Sequence, residues 1–364
     1  MGAAILSVAT AVPEHRLEAR AALESLRAFF PQLQRLVADD AELGTRYTCE
    51  PVEDLLAPRG LDDLGRRYLR HAKGLAVASA REALARAGVG GGDIDLVITV
   101  SCTGYLVPSL DVYFAEDLGL RPDVIRLPLT ELGCSAGAAG IAAAQRHLVG
   151  HRRDKVLVVA VEVPSLSFQR SDSSLDNLTA CLVFGDGAGA AVLTGDGGHA
   201  APLEVVRTAT HLIPRTAHLL GFDLRDGGFH VVLDRRLTRV LREELAPVVS
   251  EFMSSAPDFY VLHAAGPRIF GAVEQSLGLA PGALDVSRRV FAEVGNTSSA
   301  AIFFALEKLL CGAEPCGRGL GLALGPGVTV EMMELARPQV TSPARALRLP
   351  ESVNREGFPA RARR

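Results

Sequence analysis

Glu131-Leu132-Gly133-Cys134-Ser135-Ala136-Gly137-Ala138-Ala139-Gly140 is a short turn that opens a helix of small residues running to Leu148. Alanine and glycine on both faces of that helix point to close packing between two layers, not to a surface helix. Cys134 stands at the helix N-terminus, where unpaired N–H groups and the positive end of the dipole favour thiolate over thiol. The same placement suits a buried structural thiol, and the turn alone leaves both readings open.

Outward from this segment, short apolar β-branched runs read as buried strands: Ile94–Val100, Val156–Val161, Phe259–Leu262 and Leu320–Leu324. A first strand ends near Pro13. Between the strands lie helical patterns. Leu64–Ala87 stops at Gly88-Val89-Gly90-Gly91-Gly92, Leu237–Met253 is interrupted by Pro247, and Ser298–Leu310 has Thr297 or Ser298 as its expected N-cap. Strand and helix alternate, so the fold class is α/β in layers.

Two glycine turns enter strands about one domain length apart. Phe184-Gly185-Asp186-Gly187-Ala188-Gly189 leads into Ala190–Leu193, and Leu324-Gly325-Pro326-Gly327 leads into Val328–Val330. They suggest two related halves, residues 1–198 and 199–337, joined by the Gly/Asp-rich segment Gly195–Ala201. Residues 338–364 are rich in Pro and Arg without periodicity and read as a disordered tail.

A length of 364 residues with 48% hydrophobic and 22% charged residues fits a soluble globular chain with a large core. A net charge of −4 supplies no basic field for nucleic acid or anionic membrane, and the absence of Trp argues against a base-stacking platform. No run is long and apolar enough for a membrane span, and the N-terminus lacks signal-peptide charge. The six cysteines have no zinc-like spacing, so reduced thiols in a cytoplasmic protein without a metal are expected. The GDGAG loop at Gly185–Gly189 enters a strand, whereas a phosphate-cradling loop leaves one and opens a helix, so no nucleotide cofactor is expected.

Two further residues sit where chemistry gathers. His263 ends the strand Phe259–Leu262, just before Gly266-Pro267, on the edge where α/β active sites lie. Asn296 follows Gly295 and precedes Thr297-Ser298-Ser299. Each alone fits a structural role. Together, a thiol, an imidazole and an amide donor suffice for acyl transfer, with the sulfur carrying the acyl group and the other two holding an oxyanion.

With these residues in place the chain resembles the type III polyketide synthases, the chalcone synthase-like enzymes of the thiolase superfamily. The resemblance covers about residues 1–335. Its landmarks come in order: Gly133-Cys134, Phe184-Gly185-Asp186-Gly187, His263 with Gly266-Pro267, Gly295-Asn296 with Ser298-Ser299, and Gly325-Pro326-Gly327 with Thr329 and Glu331. It implies a five-layer αβαβα thiolase-like fold and a homodimer with an independent site in each subunit. It also implies acyl-CoA and malonyl-CoA as substrates, with no metal or organic cofactor. Cys134 would take the starter acyl group and pair with His263 as thiolate and imidazolium. His263 and Asn296 would hold the enolate left when malonyl-CoA loses CO2. Phe184 and Phe229 match two gatekeepers between the CoA tunnel and the cavity.

The resemblance further implies that Cys102, Val107, Pro164, Leu166, Ser167, Ala180, Leu220, Gly266, Ser298 and Pro326 bind substrate, with Val107 reaching into the partner's cavity. Two departures bear on the product. Pro164 replaces a usual Thr or Cys, and Ala323-Leu324-Gly325-Pro326-Gly327 lacks the usual first Gly and Phe. Ser167-Phe168-Gln169-Arg170 and Thr130-Glu131-Leu132-Gly133 look most like bacterial enzymes that extend long-chain acyl-CoA into alkylpyrones or alkylresorcinols. Alternatives are a 1,3,6,8-tetrahydroxynaphthalene synthase using malonyl-CoA only, a ketosynthase III-like single condensation on a carrier protein, and a non-catalytic acyl-binding scaffold.

Overall fold

The computed structural model describes residues 2–30, 44–57, 60–196, 201–226, 228–312 and 315–338. Residues 197–200 of the expected linker and 339–364 of the expected tail lie outside the described residues. The strands are β1 (Ala3–Ala11), β2 (His15–Glu18), β3 (Thr45–Thr48), β4 (Leu96–Val100), β5 (Ile125–Leu129), β6 (Lys155–Glu162), β7 (Gly187–Thr194), β8 (Leu203–Leu212), β9 (Leu220–Arg225), β10 (Gly228–Leu233), β11 (Phe259–Leu262), β12 (Gly317–Gly325) and β13 (Thr329–Arg337). The helices are α1 (Ala19–Phe29), α2 (Val52–Leu55), α3 (Leu61–Ala87), α4 (Leu110–Leu118), α5 (Ala136–Gly150), α6 (Leu175–Val183), α7 (Leu237–Phe252), α8 (Pro267–Leu277), α9 (Asp285–Val294) and α10 (Ala301–Cys311).

Nine of these strands hydrogen-bond in the order β11-β12-β13-β8-β1-β7-β6-β4-β5. Two blocks repeat one topology. In the first, β4 and β6 are parallel and β7 and β1 follow antiparallel; in the second, β11 and β12 are parallel and β13 and β8 follow antiparallel. The glycine turns seen in the sequence open the corresponding strands β7 and β13. The blocks join through β1 and β8, where Ala3 faces Val205 and Ile5 faces Leu203.

The layers follow from the two-residue period of a strand. Along β6, Val156, Val158 and Ala160 enter the core that contains α5 and α10, while Leu157, Val159 and Val161 enter the core that contains α3 and α4. Helix α5 touches β4 and β6 on one side and β8, β12 and β13 on the other. The two blocks therefore face each other across α5 and α10, with further helices on the outside.

Two details depart from the sequence expectation. Pro247 does not break α7; it sits inside one continuous helix. The Pro247 side is exposed, so the carbonyl left without an N–H partner lies on the solvent face, while Leu241, Leu245, Val248 and Val249 hold the other face in the core. The second departure concerns α10. It starts at Ala301, behind a 3-10 turn over Ser298–Ala300, and neither Thr297 nor Ser298 makes a side-chain cap bond.

Small residues make the central layer possible. A Cβ on Gly137 would lie 2.1 Å from the Ser299 carbonyl oxygen and 2.9 Å from Ile302. We expect Gly137→Val to lower stability by about 1–3 kcal/mol through overpacking, read as a fall in the urea midpoint at an unchanged m-value.

Candidate active site

The strand β5 ends four residues before Gly133, and the chain turns through Gly133–Ser135 into α5. Gly133 has φ +54°, and a Cβ there would fall 2.4 Å from the Pro326 ring. Only glycine fits both the left-handed backbone and the close approach. Pro326 thereby packs closely on the Cys134 turn, and Gly325 packs beside Ser135.

The same loop holds His263. The Leu324 N–H donates to His263 Nδ1 at 3.3 Å, so the neutral ring carries its proton on Nε2 as a donor. His263 ends β11 and is buried. Two residues on, the Ala265 carbonyl accepts from Asn296 Nδ2 at 3.5 Å. The Asn296 amide is oriented by Ser298, whose N–H donates to Oδ1 at 2.9 Å. The Asn296 backbone pairs with Phe184 across the two blocks: its N–H donates to the Val183 carbonyl (2.9 Å), and its carbonyl accepts from Gly185 (3.1 Å).

Ser298 is the polar hub. With φ +51°, its hydroxyl lies 3.4 Å from Cys134 Sγ and 3.4 Å from Cys102 Sγ. Both thiols meet at one hydroxyl contributed by the other block. Burial pushes the Cys134 thiol up to about 11; hydrogen bonds from Ser298 and Asn296 pull it down, and the Glu162 carboxylate pushes it up. Burial also lowers His263 to about 4. Burial thus outweighs the helix-end effect expected from sequence. Desolvation disfavours charge on sulfur and on imidazole alike, and both groups rest neutral near pH 7.

Glu162 is the residue that sequence reasoning left without a role. Fully buried at the end of β6, it accepts from the Cys102 N–H (3.1 and 3.2 Å), the Thr103 N–H (3.1 Å), the Thr103 hydroxyl (2.7 Å) and the Ser299 hydroxyl. It pins the Cys102 loop and the Ser298 turn to one point. The available signal was a lone carboxylate closing the apolar strand Lys155–Glu162. Asp186 plays a similar part in the GDGAG loop. It accepts from the N–H groups of Cys49 (2.7 Å) and Ser165 (2.9 Å), and burial raises it to about 6.

Beside Phe184 lies a narrow cleft of about 90 Å³. Pro164, Ser167 and Ala180 line it, with Phe184 at the end nearest Asn296 and Leu55, Phe168 and Phe222 among its apolar walls. Leu166 does not belong to this wall. It is buried against the outer core with α3, because the 3-10 turn Pro164–Ser167 sends it opposite to its neighbours. Phe229, on β10, meets Phe222 edge-on at 6.0 Å, and Leu220 packs on the central core at the start of β9. Gly266 precedes α8 as its N-cap, and Val107 is 79% exposed.

These shifts give a measurable expectation. Alkylation of Cys134 by iodoacetamide, read by peptide mass spectrometry, should climb about tenfold per pH unit between about pH 7 and about pH 10, since only thiolate reacts. A plateau already near about pH 6 would instead reveal a preformed thiolate–imidazolium pair.

Comparison with known proteins agrees with this geometry. Family models for the N-terminal and C-terminal domains of chalcone and stilbene synthases match residues 67–197 and 204–337. A 1,3,6,8-tetrahydroxynaphthalene synthase from Streptomyces coelicolor is 36% identical over 335 residues, 88% of each chain. An alpha-pyrone synthesis polyketide synthase-like protein of Mycobacterium tuberculosis is 30% identical over 290 residues, 76% of this chain and 73% of that one. The crystal structure of the Streptomyces coelicolor A3(2) tetrahydroxynaphthalene synthase superposes with a TM-score of 0.87 at 34% identity, covering 93% of this chain and all of that one. The chain belongs to the chalcone and stilbene synthase family and is a type III polyketide synthase of thiolase-like fold.

Proposed function

We propose that this synthase takes a medium- or long-chain fatty acyl group from CoA onto Cys134, extends it with malonyl-CoA and releases an alkyl-α-pyrone or alkylresorcinol. The observation that carries this choice is the apolar cleft behind Phe184. Each methylene it buries is worth about 0.8 kcal/mol, so a fatty tail gains far more there than an acetyl or malonyl group. A chain grown from malonyl units alone carries a carbonyl at every second carbon and gains little from such walls.

In this reading Cys134 attacks the thioester, the C–S bond to CoA breaks, and the thiol proton ends on the departing CoA sulfur. His263 Nε2–H and the Asn296 amide donate to the oxyanion. The same donors receive the enolate oxygen when malonyl-CoA loses CO2. The enolate carbon then attacks the Cys134 thioester and frees the sulfur, which regains a proton. Donors of this kind are each worth roughly 10²–10³ in rate.

A second reading has its own observation. Cys102 shares the Ser298 hydroxyl with the nucleophile, and the Streptomyces coelicolor relative is a 1,3,6,8-tetrahydroxynaphthalene synthase. That product would come from malonyl-CoA alone. Mass spectrometry of products across acyl-CoA starters of two to about eighteen carbons decides between the readings. We expect rates to rise with starter length, Ala180→Phe to move the optimum to shorter starters, and Cys134→Ala to yield no product. A naphthalene product at full rate without any starter would establish the second reading. Undiminished turnover in Cys134→Ala would remove both.

The reading extends to a homodimer. Strand β5 ends the sheet with Ile125 and Leu127 exposed, and the Tyr105 and Val107 side chains stand out on the loop after β4. Pro128 takes one N–H from that edge, so a second copy would cover this face through side chains and not by extending the sheet. Light scattering should show a dimer, and Leu127→Lys a shift to monomer.

A further inference from the structure

The far end of α5 carries a second group of ligating side chains. His147 lies in the last turn of the helix, His151 follows the final residue, and the chain then reverses to bring Asp154 back against both before β6 begins. His147 Nε2 is 2.8 Å from Asp154 Oδ2, and His151 Nδ1 is 4.0 Å from the same oxygen. One ligand atom from each residue lies within 4.8 Å of the other two. The two imidazoles stack with centroids 4.6 Å apart.

Three features suit this corner to a cation. The turn is fixed by backbone bonds, from the His151 N–H to the His147 carbonyl (3.0 Å) and from the Asp154 N–H to the His151 carbonyl (3.1 Å). The negative end of the α5 dipole faces it. The Arg152 guanidinium, whose charge would repel an ion, is drawn to Asp196 (3.1 Å) and the Gly195 carbonyl (2.6 Å). His147 and Asp154 are part-buried while His151 is exposed, which leaves an open side for water ligands.

We propose that His147, His151 and Asp154 bind a divalent transition-metal ion of the zinc class, with water completing the shell. Imidazole nitrogen with one carboxylate selects zinc, cobalt, nickel or copper over magnesium and calcium. Small side-chain rotations bring these atoms to zinc bond lengths of about 2.0–2.2 Å. On binding, the His147 ring carries its proton on Nδ1, so that Nε2 and Asp154 Oδ2 both face the ion in place of each other. The site lies a helix length, roughly 20 Å, from Cys134, and its role is to clip the end of α5 to the start of β6.

The test uses the full chain, cleared of metal with a chelator and dialysed. Titration with cobalt(II) should give d–d absorption saturating at one equivalent, without a sulfur-to-cobalt charge-transfer band. Zinc should displace the cobalt and raise Tm with concentration, while magnesium should do neither. Asp154→Asn and the exposed His151→Ala should each weaken zinc binding at least about tenfold, the smallest cost expected from disturbing a ligand set. No saturable binding by the folded wild-type chain, a charge-transfer band from the thiols, or unchanged affinity in both variants would overturn the proposal.

Discussion

Everything in this structure leans on how closely α5 approaches its neighbours. Gly137 leaves no room for a side chain against the Ser299 carbonyl, and a Cβ on Gly140 would crowd Val158 (3.0 Å) and Val100 (3.1 Å) more closely than ordinary van der Waals contact allows. These contacts let one helix serve as a shared wall between two strand blocks. They also half-bury Cys134 at the start of that helix, and so decide the environment of its thiol before any side chain is chosen to assist it.

That burial sets a conflict between packing and reactivity. A thiol at a helix N-terminus in water would lean towards thiolate. Here the same turn is closed by Pro326, roofed by the Ser298 hydroxyl and placed near the buried Glu162, so the neutral thiol is favoured at rest. His263 answers in kind, because its Nδ1 accepts from a backbone N–H and the ring stays neutral with a donor on Nε2. Donors directed by main-chain hydrogen bonds, beside a neutral thiol and a neutral imidazole, are arranged as oxyanion stabilisation requires.

The apolar cleft lies apart from the Cys134 turn. The Phe184 backbone pairs with Asn296, and Phe184 lines the cleft together with Pro164, Ser167 and Ala180. Pro164, which stood out in the sequence as the loss of a polar group, lies on that wall and fits its apolar character. Leu166, two residues on, belongs to the outer core instead. A turn of three residues per repeat scatters neighbours to different faces, and no period in the sequence announces which face is the cavity.

The sequence by itself marked part of the strand and helix framework and its α/β alternation. β-branched runs marked β4, β6, β11 and β12, the small-residue stretch marked α5 as a central helix, and the glycine turns marked the entries to β7 and β13, because local sterics and burial periodicity act over a few residues. It also carried Cys134, His263 and Asn296, whose settings at strand and helix ends are local. Only the tertiary structure decided that Ser298 bridges two thiols, that Glu162 ties the Cys102 loop to the Ser298–Ser299 turn, that Pro247 stays inside α7, and that Asp154 returns to His147 and His151. Each depends on groups brought together by chain reversal or across separate elements. Charge state follows suit: desolvation is a property of everything packed around an atom, and no stretch of sequence contains it.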